Sequence, residues 1–304
     1  MERLSFEDRR SADARRETED LTEELRRDPL VMNLLKRNGI PEKYLQISPW
    51  RIRDWSTKAA PCAKCAGLAS CSQKQKGYYE NLVFDGILKN ELTACRYMRK
   101  ELQELAHMKN YLVCDLPEKM KKTSLKTIGT DGEDEEYVKL LADVILFSAS
   151  SKSLYLHGTM GSGKSYLAAA ACNDHARNGE KTAFIHYPTF VQRAASAISS
   201  GEYKDEVKRL MYADFLVIDD IGAEAVTEWN RDSILLPVLN ARYESGLPVW
   251  FTSNYKLADL QHHFAFSAKG GEEITKAARI IERIRASAEV RVLKGKDRRI
   301  GADS

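Results

Sequence analysis

Three glycines, a lysine and two serines fall within residues 158–165, which read GTMGSGKS. This segment matches the pattern G-x-x-x-x-G-K-[ST] without a mismatch. Glycines at this spacing let successive backbone N–H groups turn inward and surround phosphate oxygens. Lys164 would supply positive charge for the β- and γ-phosphates, and the Ser165 hydroxyl would be a ligand of Mg²⁺. The residues predicted to bind a nucleoside triphosphate are Gly158, Thr159, Met160, Gly161, Ser162, Gly163, Lys164 and Ser165.

Two aspartates follow a short apolar segment further along the chain. Residues 215–220 read FLVIDD, four apolar residues and then Asp219 and Asp220. An acidic pair after a strand can also be an ordinary loop start, but downstream of a phosphate-binding loop it supplies the carboxylates of the same site. Asp219 is predicted to hold Mg²⁺ through water, together with Ser165, and Asp220 to orient the attacking water. The two motifs together predict ATP hydrolysis.

Two further polar positions could complete this site. The apolar segment 248–253 is followed by Asn254, which would lie at the edge of the sheet where ligands bind and could polarise the water or the γ-phosphate. In AARIIERIR, Arg279 and Arg283 are four residues apart on one helical face, while the isoleucines face inward. An outward arginine can be merely solvated. The alternative is an arginine finger that completes the site of a neighbouring subunit.

Strand and helix patterns alternate after about residue 137. The first helical segment is the Ala-rich SYLAAAACNDHARNG, directly after the glycine-rich loop. Such alternation predicts a parallel sheet with helices on both faces. Upstream, Asp28 and Pro29 suit a helix start, Asp85-Gly86 suits a tight hairpin turn, and a charged helix is expected at about 96–109. The predicted strands of the sheet are 153–157, 182–187, 214–219, 248–253 and 290–293.

Four of the six cysteines are clustered between positions 62 and 95. Their spacing is C-x₂-C-x₅-C followed by a distant fourth cysteine, and four thiolates suit tetrahedral Zn²⁺. The alternative is a set of reduced, partly buried thiols. Cys172, on the helix after the glycine-rich loop, is expected to be a core residue, and Cys114 an incidental thiol. The predicted zinc ligands are Cys62, Cys65, Cys71 and Cys95.

The composition indicates an ordinary globular chain. The hydrophobic fraction is 43% and the net charge is +3, too small to argue for nucleic acid by itself. No apolar run is long enough to span a bilayer, and the N-terminal residues lack the apolar region of a secretory signal. We therefore expect a cytoplasmic protein with no membrane partner.

These motifs together resemble the AAA+ ATPases. Within that group, the chain resembles the DnaI/DnaC class of bacterial replicative helicase loaders, most closely its DnaI-like members. The resemblance covers the chain from about residue 60 onward. One departure is the stretch KGYYENL, which has tyrosines where DnaI-like proteins can carry a histidine. The blocks that carry the resemblance are FLVIDDIGAE, FTSNY, LQHHFAFSAKGGEEITKAARIIERI and KGKDRRI.

The resemblance implies an α/β fold, a lidless AAA+ P-loop core preceded by a mainly helical zinc-binding N-terminal domain. The expected boundaries are 1–110 for the helicase-binding, zinc-binding domain, 111–136 for a linker and 137–304 for the ATPase domain. Residues 255–304 are too few for the usual helical lid and the last strand, which agrees with a lidless core. By position, Asn254 corresponds to sensor 1, Arg283 to the arginine finger and Arg298 to sensor 2. Arg299 is the next choice for sensor 2, and Arg279 matches the other basic position of the finger helix.

The function implied is ATP-dependent loading of the hexameric DnaB-type replicative helicase onto single-stranded DNA, during initiation or restart of replication. Such a primosome protein would hydrolyse ATP to ADP and phosphate slowly, under control of its partner or of DNA, and would self-associate as a hexamer through its AAA+ domain. One alternative is an IstB-like transposition helper ATPase. Another is an adaptor that uses ATP only as a structural ligand. Candidate DNA contacts are Tyr203, Lys208, Trp229 and Arg231.

Overall fold

The computed structural model describes residues 23, 26–37, 42, 51–52, 65–84, 88–266 and 273–294. The chain divides into two compact units, Met1–Gln103 and Glu104–Ser304. In the described residues, no helix is both long and apolar enough to cross a membrane.

The first unit contains a helix and a small antiparallel sheet. Helix α1 starts at Pro29, directly after Asp28 as predicted, and buries Val31 and Leu35, which share one face at i, i+4 spacing. The sheet order is β1-β2-β3, and β2 and β3 form the expected hairpin, although its Asp85-Gly86 turn lies outside the described residues. The described part of this unit therefore contains a three-stranded sheet in addition to helices, whereas the sequence analysis expects a mainly helical domain. The elements are α1 (Pro29–Arg37), β1 (Arg51–Ile52), β2 (Tyr78–Phe84), β3 (Leu88–Ala94) and α2 (Arg96–Glu104).

The second unit is built on a six-stranded sheet of order β4-β6-β7-β8-β5-β9. Every neighbouring pair in it is parallel. Each of the five strands predicted from the sequence is present. The strands are β4 (Tyr111–Cys114), β5 (Ser153–Gly158), β6 (Thr182–His186), β7 (Phe215–Asp219), β8 (Val249–Ser253) and β9 (Ala288–Leu293).

Helices cover both faces of this sheet, as the alternating pattern predicts. One apolar cluster packs α3 and α4 against one face, and a second packs α5 to α9 against the other. The central strands are buried on both sides and therefore read as continuous apolar runs rather than alternating ones. The helices are α3 (Glu135–Ala149), α4 (Lys164–Arg177), α5 (Tyr187–Ser196), α6 (Tyr203–Tyr212), α7 (Leu236–Ser245), α8 (Leu257–Ala265) and α9 (Ile274–Ser287).

The segment 111–136, expected to be a linker, differs from that expectation. Its first residues form β4, which pairs with β6 at the edge of the sheet. Asn173 of α4 then donates to the carbonyls of Met120 and Thr123 at 2.8 and 2.9 Å, and Asp174 accepts the Leu125 N–H at 2.9 Å. This segment is thus tied to α4 through its backbone, while many of its polar side chains remain exposed.

No separate helical lid follows β8 in the described residues. The two helices there, α8 and α9, lay their apolar faces on the sheet. Leu260 and Phe264 of α8 are buried, as are Ile280 and Ile284 of α9. In the described residues, both helices after β8 therefore belong to the layer that covers the sheet.

Candidate functional site

The glycine-rich loop connects the end of β5 to the start of α4. A Cβ added to Gly158 would lie 2.0 Å from the carbonyl oxygen of Leu293, so only glycine fits there. Gly161 and Gly163 have φ values of +76° and +100°, a region that favours glycine. The first turn of α4 begins at Lys164 and directs its backbone N–H groups toward the loop. The loop therefore has the backbone geometry of a phosphate-binding cradle.

Lys164 lies across this loop with its ammonium group held by neutral oxygens. Its Nζ donates to the carbonyls of Gly158 and Thr159 at 3.0 and 2.8 Å, and to Oδ1 of Asn254 at 3.0 Å. Phosphate oxygens carry charge and are stronger acceptors than these carbonyl and amide oxygens. Lys164 is therefore placed to exchange these bonds for bonds to a nucleotide.

Asp219 is buried at the end of β7, beside α4. Its Oδ1 accepts a hydrogen bond from the Thr252 hydroxyl at 2.6 Å. Burial raises the pKa of Asp219, while hydrogen bonds from Thr252 and Ser165 lower it. The carboxylate and the Ser165 hydroxyl are thus adjacent oxygen groups next to the phosphate cradle. This is the donor set that Mg²⁺ uses when substrate phosphates supply further ligands, so these residues fit the ion predicted here.

Asp220 and Asn254 form a hydrogen bond next to Lys164. Asp220 has a left-handed backbone with φ +57°, and its N–H donates to the Thr252 hydroxyl at 2.9 Å. Asn254 Nδ2 donates to Asp220 Oδ1 at 3.2 Å, while its Oδ1 accepts from Lys164. Asn254 therefore bridges the phosphate-binding lysine and the carboxylate predicted to orient water.

Two residues of this site were missed by the sequence reasoning. Thr252 binds both aspartates, as acceptor for one backbone N–H and donor to one carboxylate. His186 ends β6 with its Nε2 3.9 Å from Asp220 Oδ2. The register pairs His186 with Asp219, so the rule that ligands gather at the carboxyl ends of parallel strands could have found it.

Arg283 is half-buried and held within its own subunit. Its Nε donates to Asn240 Oδ1 at 2.8 Å, and its guanidinium lies 5.0 Å from the centre of the Tyr243 ring. Arg279, four residues earlier on α9, is exposed. Arg298 and Arg299 lie outside the described residues, so the structure does not place the predicted sensor 2.

Three of the four predicted zinc ligands are described. The Gly77 N–H donates to Cys71 Sγ at 3.3 Å and the Met98 N–H to Cys95 Sγ at 3.4 Å. The first of these bonds is the main cause of the lowered pKa of Cys71. Cys62 lies outside the described residues, and no group of three metal-binding side chains occurs among those that are described.

The remaining two cysteines differ in exposure, and Cys172 is the core residue that the sequence predicts. Cys172 is fully buried, and burial raises the pKa of its thiol to about 12. Cys114 is exposed.

The candidate DNA-contacting residues differ in exposure. The prediction that Arg231 contacts DNA at the surface is wrong, because its side chain is 0% exposed. It forms an ion pair with Asp232 and donates to the Phe264 carbonyl. Its position at the start of a π-helical turn, Asn230–Leu235, turns it inward. The rings of Tyr203 and Trp229 contact each other at 5.4 Å and pack on the core, whereas Lys208 is exposed.

Comparison with known proteins agrees with this geometry. The family model described as IstB-like ATP binding protein matches residues 63–303. The replicative helicase loader DnaI of Bacillus subtilis (strain 168) is 28% identical over 296 residues, 94% of each chain. A crystal structure of DnaI matches with a TM-score of 0.53 and 30% identity, over 63% of this chain and 98% of that one. A candidate primosome component from Streptococcus pyogenes serotype M3 matches with a TM-score of 0.51 and 31% identity, over 64% and 97%.

The chain is thus similar, over most of its length, to proteins of one group. The family model covers well over half of the chain. The chain therefore belongs to the IstB-like ATP-binding protein family and carries an AAA+ core like that of the replicative helicase loaders.

Proposed function

We propose that this protein is an ATP-dependent loader of the hexameric, DnaB-type replicative helicase, acting on single-stranded DNA during initiation or restart of replication. The observation that carries the proposal is the assembled chain of contacts from Lys164 through Asn254 to Asp220. It lies in a protein that is similar to a replicative helicase loader along nearly its whole length. We place this activity in the cytoplasm, without a membrane partner.

The residues of the site divide the work of hydrolysis between them. A bound Mg·ATP supplies the phosphoanhydride bond that water cleaves. The N–H groups of the glycine-rich loop and Lys164 bind the phosphates, and Ser165 and Asp219 hold the metal. Asp220 accepts a hydrogen bond from the attacking water and orients it. Asn254 keeps Asp220 and Lys164 at a constant separation, so that water and phosphate are aligned.

Arg283 would act on a neighbouring subunit rather than its own. Stacking on Tyr243 and the bond to Asn240 hold its side chain in a defined direction on the surface of α9. A guanidinium held in this way loses less conformational entropy when it reaches a phosphate. This favours self-association of the AAA+ domain, as a hexamer or an open spiral, with hydrolysis that is slow until subunits, helicase or DNA bring the finger into place. Arg298 would complete the nucleotide site as sensor 2.

The first unit would bind one Zn²⁺ and dock on the helicase. Cys65, Cys71 and Cys95 would be ligands together with Cys62. The backbone N–H···S bond from Gly77 lowers the pKa of Cys71 and supports its role as a ligand, because such a donor stabilises a negatively charged sulfur. The metal would contribute folding energy to a unit with a small core.

The two alternative functions predict different behaviour. A transposition helper ATPase shares the core but does not require the cysteine-bearing first unit, which the similarity to DnaI includes. An adaptor with ATP as a structural ligand would bind nucleotide without turnover. Single-turnover hydrolysis with and without DNA distinguishes the adaptor.

Co-purification with the replicative helicase of the same organism tests the proposal directly. We expect the wild type to retain the helicase in the presence of ATP and to stimulate its binding to a single-stranded DNA circle. Lys164→Ala is the matched variant, because it removes only the phosphate-binding charge. A wild type that neither binds nor loads the helicase would remove the basis of the proposal.

A further inference from the structure

A buried carboxylate lies in the loop that follows Asp220. The Glu224 side chain is 2% exposed, and its Oε2 accepts the backbone N–H of Gly222 at 2.8 Å. Its other oxygen, Oε1, is buried and receives no hydrogen bond from any residue that the structure describes. A buried carboxylate with so few donors is costly unless a positive charge lies close to it. Oε1 of Glu224 is therefore placed to accept a hydrogen bond from a neighbouring donor.

His263 of α8 lies next to this oxygen. Its Nε2 lies 3.6 Å from Glu224 Oε1. That nitrogen is buried and has no hydrogen-bond partner within the described part of the chain, although the His263 side chain as a whole is 23% exposed. An imidazole N–H is a hydrogen-bond donor, and a shift of about half an ångström would bring Nε2 within hydrogen-bond distance of Oε1. The loop and α8 thus approach each other through Glu224 Oε1 and His263 Nε2. Neither atom has another hydrogen-bond partner in the described structure.

The same histidine also touches the residue next to Asn254. The His263 ring stacks on the Tyr255 ring, with centroids 5.6 Å apart and planes at 20°. Gly222 fits tightly under this stack, because an added Cβ would be 2.7 Å from the Tyr255 ring and 2.8 Å from Leu260. The backbone of the loop after Asp220 is therefore packed against the side chains of Tyr255 and Leu260.

These contacts close a ring around the two site residues. Asp220 and Asn254 meet directly at 3.2 Å, and they are connected a second time through Glu224, His263 and Tyr255. We infer that Glu224 and His263 form a positioning pair that keeps Asp220 and Asn254 aligned for the hydrolysis step. This inference rests on the proposed ATPase activity. It assigns the pair a role in the rate of hydrolysis and none in nucleotide binding, because neither side chain lies among the phosphate-binding residues.

The test uses isosteric changes in the full-length chain. Glu224→Gln keeps an acceptor for the Gly222 N–H but removes the charge, and His263→Phe keeps the ring on Tyr255 but removes Nε2. Glu228→Gln, in the helical turn directly after the same loop, and His262→Phe on the same helix are matched controls at exposed positions. Each protein is assayed for nucleotide affinity, kcat of ATP hydrolysis with helicase and DNA present, and thermal unfolding.

We expect each single variant to lower kcat by about ten- to hundredfold with unchanged nucleotide affinity, because small misplacements of catalytic groups have effects of this size. The double variant should be no slower than the slower single variant, since both changes break one link. The controls should match the wild type. A variant that keeps full kcat, or that loses nucleotide affinity and kcat in parallel, would overturn the inference, as would multiplicative losses in the double variant.

Folding and the basal activity are controlled separately. If one single variant fails to fold, the other decides by the same readouts; failure of both would also overturn the inference, because a pair that only aligns two residues should tolerate isosteric replacement. A wild type without turnover under every condition would instead remove the proposed ATPase activity. Normal turnover in the wild type and in every variant would remove only the role of Glu224 and His263.

Discussion

Thr252 is the residue whose replacement tests the geometry of the metal side of the site. Its hydroxyl donates to Asp219 and accepts from the Asp220 N–H. Thr252→Val keeps the shape of the side chain and removes both bonds. A hydrogen bond to a charged group contributes about 1.5–3 kcal/mol, and an unsatisfied, partly buried N–H costs about 1 kcal/mol. We therefore expect the free energy of unfolding of the second unit to fall by about 3 kcal/mol at neutral pH.

The loss should depend on pH in a defined direction. The Thr252 hydrogen bond lowers the pKa of Asp219 against the raising effect of burial. Its removal raises that pKa further, so ionised Asp219 becomes costlier in the folded state. The stability difference between Thr252→Val and the wild type should be largest above the pKa of Asp219 in the variant. It should shrink as the pH falls through that value, because protonated Asp219 no longer needs a donor.

Metal-dependent nucleotide binding gives a second readout. A carboxylate that is harder to ionise binds Mg²⁺ less well, so the variant should need more Mg²⁺ for half-maximal binding of a fluorescent nucleotide. Urea unfolding can be followed by tryptophan fluorescence, since Trp250 is buried in the same strand. Thr252→Ser is the control because it keeps the hydroxyl. Wild-type stability and wild-type Mg²⁺ dependence in Thr252→Val would refute the role given to this residue.

Three other predictions concern charge, assembly and metal. Lys164→Ala should abolish nucleotide binding, whereas Asp220→Asn should bind ATP normally and hydrolyse it slowly. Equilibrium binding and single-turnover assays distinguish the two variants. Hydrolysis by Asp220→Asn at the wild-type rate would contradict the catalytic role of Asp220. Arg283→Ala should keep ATP affinity but lose assembly-dependent hydrolysis by about 10³-fold or more. Mixing it with Lys164→Ala should restore activity, and no recovery between folded, associating proteins would exclude action in trans. Elemental analysis should find one zinc per chain. A content well under half a zinc per chain would exclude the proposed zinc site.

The sequence predicts the sheet and the nucleotide loop well because both depend on local patterns. Buried parallel strands need continuous apolar runs, and a phosphate cradle needs glycines at defined positions. These constraints are visible in FLVID and GTMGSGK without knowledge of the rest of the chain. The five predicted strands and the contacts among Lys164, Asp220 and Asn254 are accordingly present.

The missed features depend on contacts between distant segments. β4 was not predicted because a four-residue edge strand has little pattern of its own, and only its pairing with β6 defines it. Arg231 looks like a surface cation in the sequence, yet the π-helical turn and Asp232 bury it. Thr252 lies inside a strand whose apolar neighbours suggest packing alone. In each case the partner is tens of residues away or is selected by backbone geometry that the local sequence does not reveal.

The contact between Gly158 and Leu293 has a consequence for how the protein is made. The carbonyl behind the glycine belongs to β9, which pairs with β5 along its whole length. As the ribosome emits the chain, the cradle at 158–165 emerges long before the strand that supports it. A nascent chain should therefore gain nucleotide affinity only after Leu293 has left the exit tunnel. Partially synthesised chains would then carry the cradle sequence without binding ATP.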